Sequence, residues 1–106
     1  MSILEKDKID GMGKGKDGKT LVLMISDHLG WDNEKDHLLL LQEKINMYLS
    51  FIENEQYIEV YKDFKPLTFE VVIYLKGKPT ENMEKFLEVL NTQFQNDNIK
   101  FLSIIK

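Results

Sequence analysis

Both histidines of this 106-residue chain stand close together, in and just after the run Ser26-Asp27-His28-Leu29-Gly30-Trp31-Asp32, with Asp36 and His37 following. Imidazoles beside carboxylates are the ingredients of a divalent metal site or of a proton-transfer pair. Asp27, His28, Trp31, Asp32, Asp36 and His37 are therefore the candidate binding residues. Their spacing argues for a blander reading. His28 and His37 are nine positions apart, unlike an H-E-x-x-H signature, which sets two imidazoles on one helical face. Each residue also has an ordinary structural task. Asp32 suits a helix cap, Trp31 can plug a helix start into the core, and Asp27 can accept from loop amides. Ser26 lies near His28, but nothing resembles the G-x-S-x-G elbow of a nucleophilic serine. No catalytic residue is assigned, and which metal such a cluster would hold stays open.

A second match runs from Gly13 to Thr20 and fits G-x-x-x-x-G-K-[ST]. A phosphate-binding loop needs a strand before the glycines and a helix after the Lys-Thr, so that the helix N-terminus meets the phosphates. Here Thr20 opens the run Leu21-Val22-Leu23-Met24-Ile25, which reads as a strand apolar on both faces. Glycine and lysine at a hairpin tip explain the match, and no nucleotide is expected.

The elements around these motifs follow from periodicity. Lys8 to Lys14 is a weak strand, Asp17-Gly18 a tight turn, and Thr20 to Ile25 the second strand of a hairpin. Asp32 or Asn33 caps a helix that runs to about Glu53 or Glu55. Its main apolar face carries Leu38, Leu41, Ile45, Tyr48, Leu49 and Ile52. Leu40, Met47 and Phe51 form a second stripe, which must be covered by residues 56–67, by a ligand, or by another copy of the chain. Tyr57 to Tyr61 alternates like a short strand. Thr68 to Lys76 is the clearest strand. After Gly77-Lys78-Pro79-Thr80, a second helix carries Met83, Phe86, Leu87, Leu90 and Phe94 on one stripe, and Ile99 to Ile105 is the last strand. The predicted fold is one α+β domain over residues 1–106, a two-layer sandwich. Two helices pack on one face of a four- or five-stranded mixed sheet in the order ββαβαβ. A full strand at Tyr57 to Tyr61 would make it ferredoxin-like. If the strands at Thr20 and Thr68 are parallel neighbours, Lys76, Lys78 and Thr80 come up beside the histidine cluster.

Composition narrows the function classes. The chain is 42% hydrophobic and 30% charged, in the globular range. It has no cysteine, which excludes disulfides and thiolate chemistry and favours a cytoplasmic location. The opening MSILEKDKID lacks a signal-like apolar run, and no membrane partner is expected. All 14 basic residues are lysine and the net charge is -4. Without guanidinium groups for bidentate phosphate contacts, nucleic-acid binding is not expected. Residues 27–63 hold nine acids against three lysines. That acidity is either a solvated helix face or a surface for a basic partner.

The runs Leu23 to Trp31, His37-Leu38, Gln42-Glu43-Lys44-Ile45-Asn46 with Tyr48, Phe51-Ile52-Glu53, and Glu81-Asn82 to Glu84-Lys85-Phe86-Leu87 resemble a family of short, uncharacterised bacterial proteins, a domain of unknown function. The resemblance implies a bacterial cytoplasmic protein of about this length. It implies no activity, cofactor or site residue. The leading expectation is a noncatalytic protein-binding or accessory domain with an acidic contact surface, without a cofactor, and with a homodimer through Leu40, Met47 and Phe51 as one option. The alternative is a small metal-binding protein or enzyme built on Asp27, His28, Asp32 and His37.

Overall fold

A computed structural model describes residues 2–106. Four strands form one sheet: β1 (Gly11–Lys14), β2 (Thr20–Asp27), β3 (Thr68–Leu75) and β4 (Ile99–Ile105). They lie in the order β1-β2-β3-β4. β1 runs antiparallel to β2, while β2, β3 and β4 are parallel. Two helices, α1 (Glu34–Glu53) and α2 (Glu81–Gln93), make the two parallel crossovers. Right-handed crossovers that step the same way along a sheet put both helices on one face. The result is the ββαβαβ two-layer sandwich that the pattern predicts.

The strand period of two decides which residues enter the core. Leu21, Leu23 and Ile25 of β2 are buried, with Val71 and Ile73 of β3 and Phe101 of β4, against Leu41, Ile45 and Tyr48 of α1 and Met83, Leu87 and Leu90 of α2. The alternate residues, including Met24, Tyr74 and Leu102, face the side of the sheet without helices. The β4 edge is partly closed by α2. The Asn91 side chain donates to the Phe101 carbonyl at 2.9 Å and accepts from its N–H at 2.7 Å, as a neighbouring strand would.

Residues 57–61 are not a strand, which removes the ferredoxin-like alternative. Glu55 turns the chain sharply after α1 in a left-handed conformation, φ 53°, and Gln56–Glu59 form a 3₁₀ turn. Only Tyr57 of this stretch is buried, wedged between the rings of Phe51 and Phe69 at 6.5 and 5.6 Å. One anchor followed by exposed residues suffices for a turn, and the apparent alternation had no second face to bury.

The same anchor bears on the second stripe of α1. Phe51 lies under Tyr57, and Leu40 and Met47 are half-buried against the core. The chain itself covers much of that stripe.

Gly13 to Thr20 is a hairpin tip. Gly18 takes φ 72°, and the Asp17 carboxylate accepts from the Lys19 and Thr20 N–H groups at 2.8 and 3.0 Å and from the Thr20 hydroxyl at 2.8 Å. These bonds, the Lys19 N–H first, lower the Asp17 pKa. Thr20 opens β2 rather than a helix, so the helix N-terminus of a phosphate loop is missing.

Candidate functional site

Strand alternation carries β2 to its last residue, Asp27, on the helix-facing side. The first turns of α1 turn His37 inward to meet it. His37 Nε2 lies 2.5 Å from Asp27 Oδ2, and its Nδ1 lies 2.9 Å from the Gly30 carbonyl oxygen. The two side chains are 2% and 0% exposed. Trp31 stacks on the imidazole, ring centroids 3.8 Å apart and planes 20° apart. Asp27 Oδ1 accepts from the Leu29 N–H at 3.2 Å.

The bonds dictate the protons. A carbonyl oxygen only accepts, so Nδ1 carries hydrogen. One further proton is then shared along Nε2···Oδ2. Both ring nitrogens are committed and one ring face is covered. A general base needs a nitrogen within reach of a substrate proton, and a metal needs a lone pair. This imidazole offers neither. What the pair does is close the loop between β2 and α1 around itself.

The other candidates do not join it. His28 and Asp32 are exposed. The helix cap is Asn33, not Asp32. Its side-chain Oδ1 accepts from the Asp36 N–H at 3.5 Å, and its side-chain Nδ2 donates to the Asp36 carboxylate at 2.8 Å. Asp36 therefore belongs to the cap. Among the described residues, no group of three or more His, Cys, Asp or Glu side chains could hold a metal.

A second buried charge lies in α1, at a residue counted above only as part of a charged surface. Lys44 is fully buried. Its three ammonium hydrogens are shared among four acceptors, the carbonyls of Ser2, Glu5 and Lys8 at 2.9, 2.6 and 2.7 Å and Asp10 Oδ1 at 2.9 Å. Asp10 Oδ2 in turn accepts from the Ser26 N–H at 2.9 Å. Tyr48, one turn further on, donates to the Met24 carbonyl and accepts from the Asp10 N–H at 2.9 Å. Burial pushes the Tyr48 phenol well above its ordinary pKa, and the nearby Asp10 charge adds to that. Lys44 thus latches residues 2–10 onto α1, and Ile3 enters the core beneath them. The available signal was one lysine set among the apolar positions Leu40, Leu41, Ile45, Met47 and Tyr48.

The outer surface of the helices is the remaining candidate. The two helices carry seven acids against three lysines, a balance equal to the net charge of the whole chain, -4. One of those lysines is Lys44, which is buried against Asp10. Between the helices runs a groove of 250 Å³ lined by Lys35, Leu38, Leu39, Gln42 and Phe86. Leu39 is 49% exposed, and Val89, one turn beyond Phe86, is 61% exposed. Glu34 ties the two helix starts together. It accepts from Asn82 at 2.9 Å, and hydrogen bonds from Thr80 and then Asn82 hold its carboxyl below the usual range.

Residues 1–105 match the Family of unknown function (DUF6572). The chain belongs to this family. No curated protein and no solved structure matches it. Among the described residues, no helix is long and apolar enough to cross a membrane.

Proposed function

We propose that this chain is a noncatalytic protein-binding domain that takes a basic, amphipathic segment of a partner along the outer face of its two helices. The observation that carries the reading is an apolar groove, Leu38, Leu39 and Phe86, set in the layer that holds the chain's excess negative charge. An amphipathic helix recognises such a groove through apolar anchors, while lysine or arginine on its flanks meets the acids. The charge sets the class of partner, because complementary fields steer encounter and disfavour acidic competitors. The catalytic and metal alternatives lose support from the same geometry, since Asp27 and His37 spend their polar atoms on each other, on Gly30 and on Leu29.

The test is a titration of the ¹⁵N-labelled chain with a synthetic amphipathic peptide carrying leucine at i, i+3, i+4 and i+7 and lysine between them. Saturable shifts should concentrate at Leu38, Leu39, Gln42, Phe86 and Val89, and Leu39→Asp should weaken binding by about tenfold or more. Shifts spread over every acidic surface, or an unchanged affinity in Leu39→Asp, would sink the reading.

A further inference from the structure

The carboxyl ends of β2, β3 and β4 carry a second feature, independent of the helical face. Two cavities of 250 and 390 Å³ adjoin there and share Ser26, Tyr74 and Lys106. The first adds His28 and Lys76. The second runs onto the open face of the sheet over Met24 and Gly11. In sheets of parallel strands the carboxyl edge is where ligands tend to be held. The parallel register sets Ser26 beside Tyr74, and the Lys106 N–H donates to the Leu75 carbonyl at 2.8 Å, which fixes the main chain of Lys106 at the groove.

Two lysines, Lys76 and Lys106, gather at this groove. The two side-chain carboxylates of the groove are already engaged: Asp10 is paired with Lys44 and accepts from the Ser26 N–H, and Asp27 is paired with His37. The other polar groups are not. Among the described residues, the side chains of Lys76, Lys106 and His28 have no ion pair or hydrogen bond within the chain, and neither do the hydroxyls of Ser26 and Tyr74. Five unengaged polar groups, two of them ammonium groups, therefore belong to residues lining a groove whose walls include Tyr74, Met24 and Leu75.

We infer that this groove binds a small organic dianion, its charged head among Lys76, Lys106, His28 and Ser26 and its apolar body against Tyr74 and Met24. Two ammonium groups on flexible stems match a compact double charge, and the ring of Tyr74 gives a flat apolar body a wall. A phosphate monoester and a dicarboxylate share this chemistry.

The chain titrated with phenyl phosphate, phthalate and inorganic phosphate, followed by backbone amide shifts, tests the inference. Phenyl phosphate or phthalate should give saturable shifts at Ser26, His28, Tyr74, Lys76 and Lys106, and the tighter of the two identifies the head group. Inorganic phosphate should bind more weakly, because it lacks the body. The double variant Lys76→Gln/Lys106→Gln should lose affinity by about tenfold or more. Both lysines are exposed, so an otherwise unchanged spectrum will show the fold intact, and Lys76→Gln alone should give a smaller loss of the same sign. Equal shifts around the lysines of the Lys14 to Lys19 hairpin tip, or wild-type affinity in the double variant, would overturn it. Peptide and dianion binding report on different residues, so either can fail alone.

Discussion

At the scale of single residues, Asp27 and His37 make a bonded pair whose two halves respond differently to substitution. His37→Ala leaves a carboxylate buried without its partner, which costs about 3–5 kcal/mol of stability. Asp27→Asn should cost far less, about 1 kcal/mol. An asparagine amide can donate to a neutral Nε2 while Nδ1–H keeps its bond to the Gly30 carbonyl, and Oδ1 still accepts from Leu29. Urea denaturation of the two variants checks the asymmetry. Equal losses would mean that the pair depends on full charge separation. Tyr48 supplies a pH dependence. Its folded-state pKa is raised above the unfolded value, because burial favours the neutral phenol. That contribution is fully present below the unfolded value of about 10 and is lost as pH climbs from there toward the folded value. Stability measured from about pH 9 to 11 should therefore fall more steeply in the wild type than in Tyr48→Phe.

At the scale of elements, residues 2–10 have no regular secondary structure of their own, and a single side chain organises them. Lys44 collects three carbonyls and one carboxylate. Lys44→Met should cost about 3–5 kcal/mol, since Asp10 is left buried and unpaired. Lys44→Met/Asp10→Asn should recover part of that loss, because removing both charges relieves the desolvation penalty. Hydrogen exchange reads the same event locally. In Lys44→Met the Ile3 amide, bonded to the Ser26 carbonyl at 3.0 Å, should lose protection, while the β3 amides from Val71 to Ile73 keep theirs. Protection lost equally everywhere would show that the latch serves the whole fold rather than the segment.

At the scale of the whole molecule, charge is sorted by layer and by edge. Excess acid lies on the helices, while Lys76 and Lys106 gather at one end of the sheet. Surface charges farther apart than about 10 Å are screened at ~0.1 M salt. Binding of the leucine–lysine peptide should therefore weaken as salt rises, and the apolar anchors should leave a residual affinity at ~1 M salt. Binding abolished by salt would mean that the groove between Leu39 and Phe86 contributes nothing.

Periodicity made most of the scaffold legible. The alternation in 20–27 and 68–75, the helical stripes of 34–53 and 81–93, and the breakers at Gly77–Pro79 and Asn96–Asn98 all specify their elements locally, because which side chains share a face depends only on the period of the backbone. The hairpin reading of Gly13 to Thr20 was local for the same reason, since Asp17 bonds groups two and three positions away. The short stretch at Tyr57 misled, because a few alternating residues fit a strand or a single anchor equally well, and only Phe51 and Phe69 chose the anchor. The roles of the titratable groups were legible only where they are local: Asp27 accepts from the loop amide of Leu29, as its residue type suggests, while its pairing with His37 and the burial of Lys44 were not readable. The sequence alone determined that His37, Asp27 and Lys44 lie on or beside apolar faces. Whether each is a working group or a saturated one depends on partners 10, 34 and up to 42 positions away. Only the tertiary structure brings those together, because burying a charge is tolerated only where the fold returns the hydrogen bonds that water supplied.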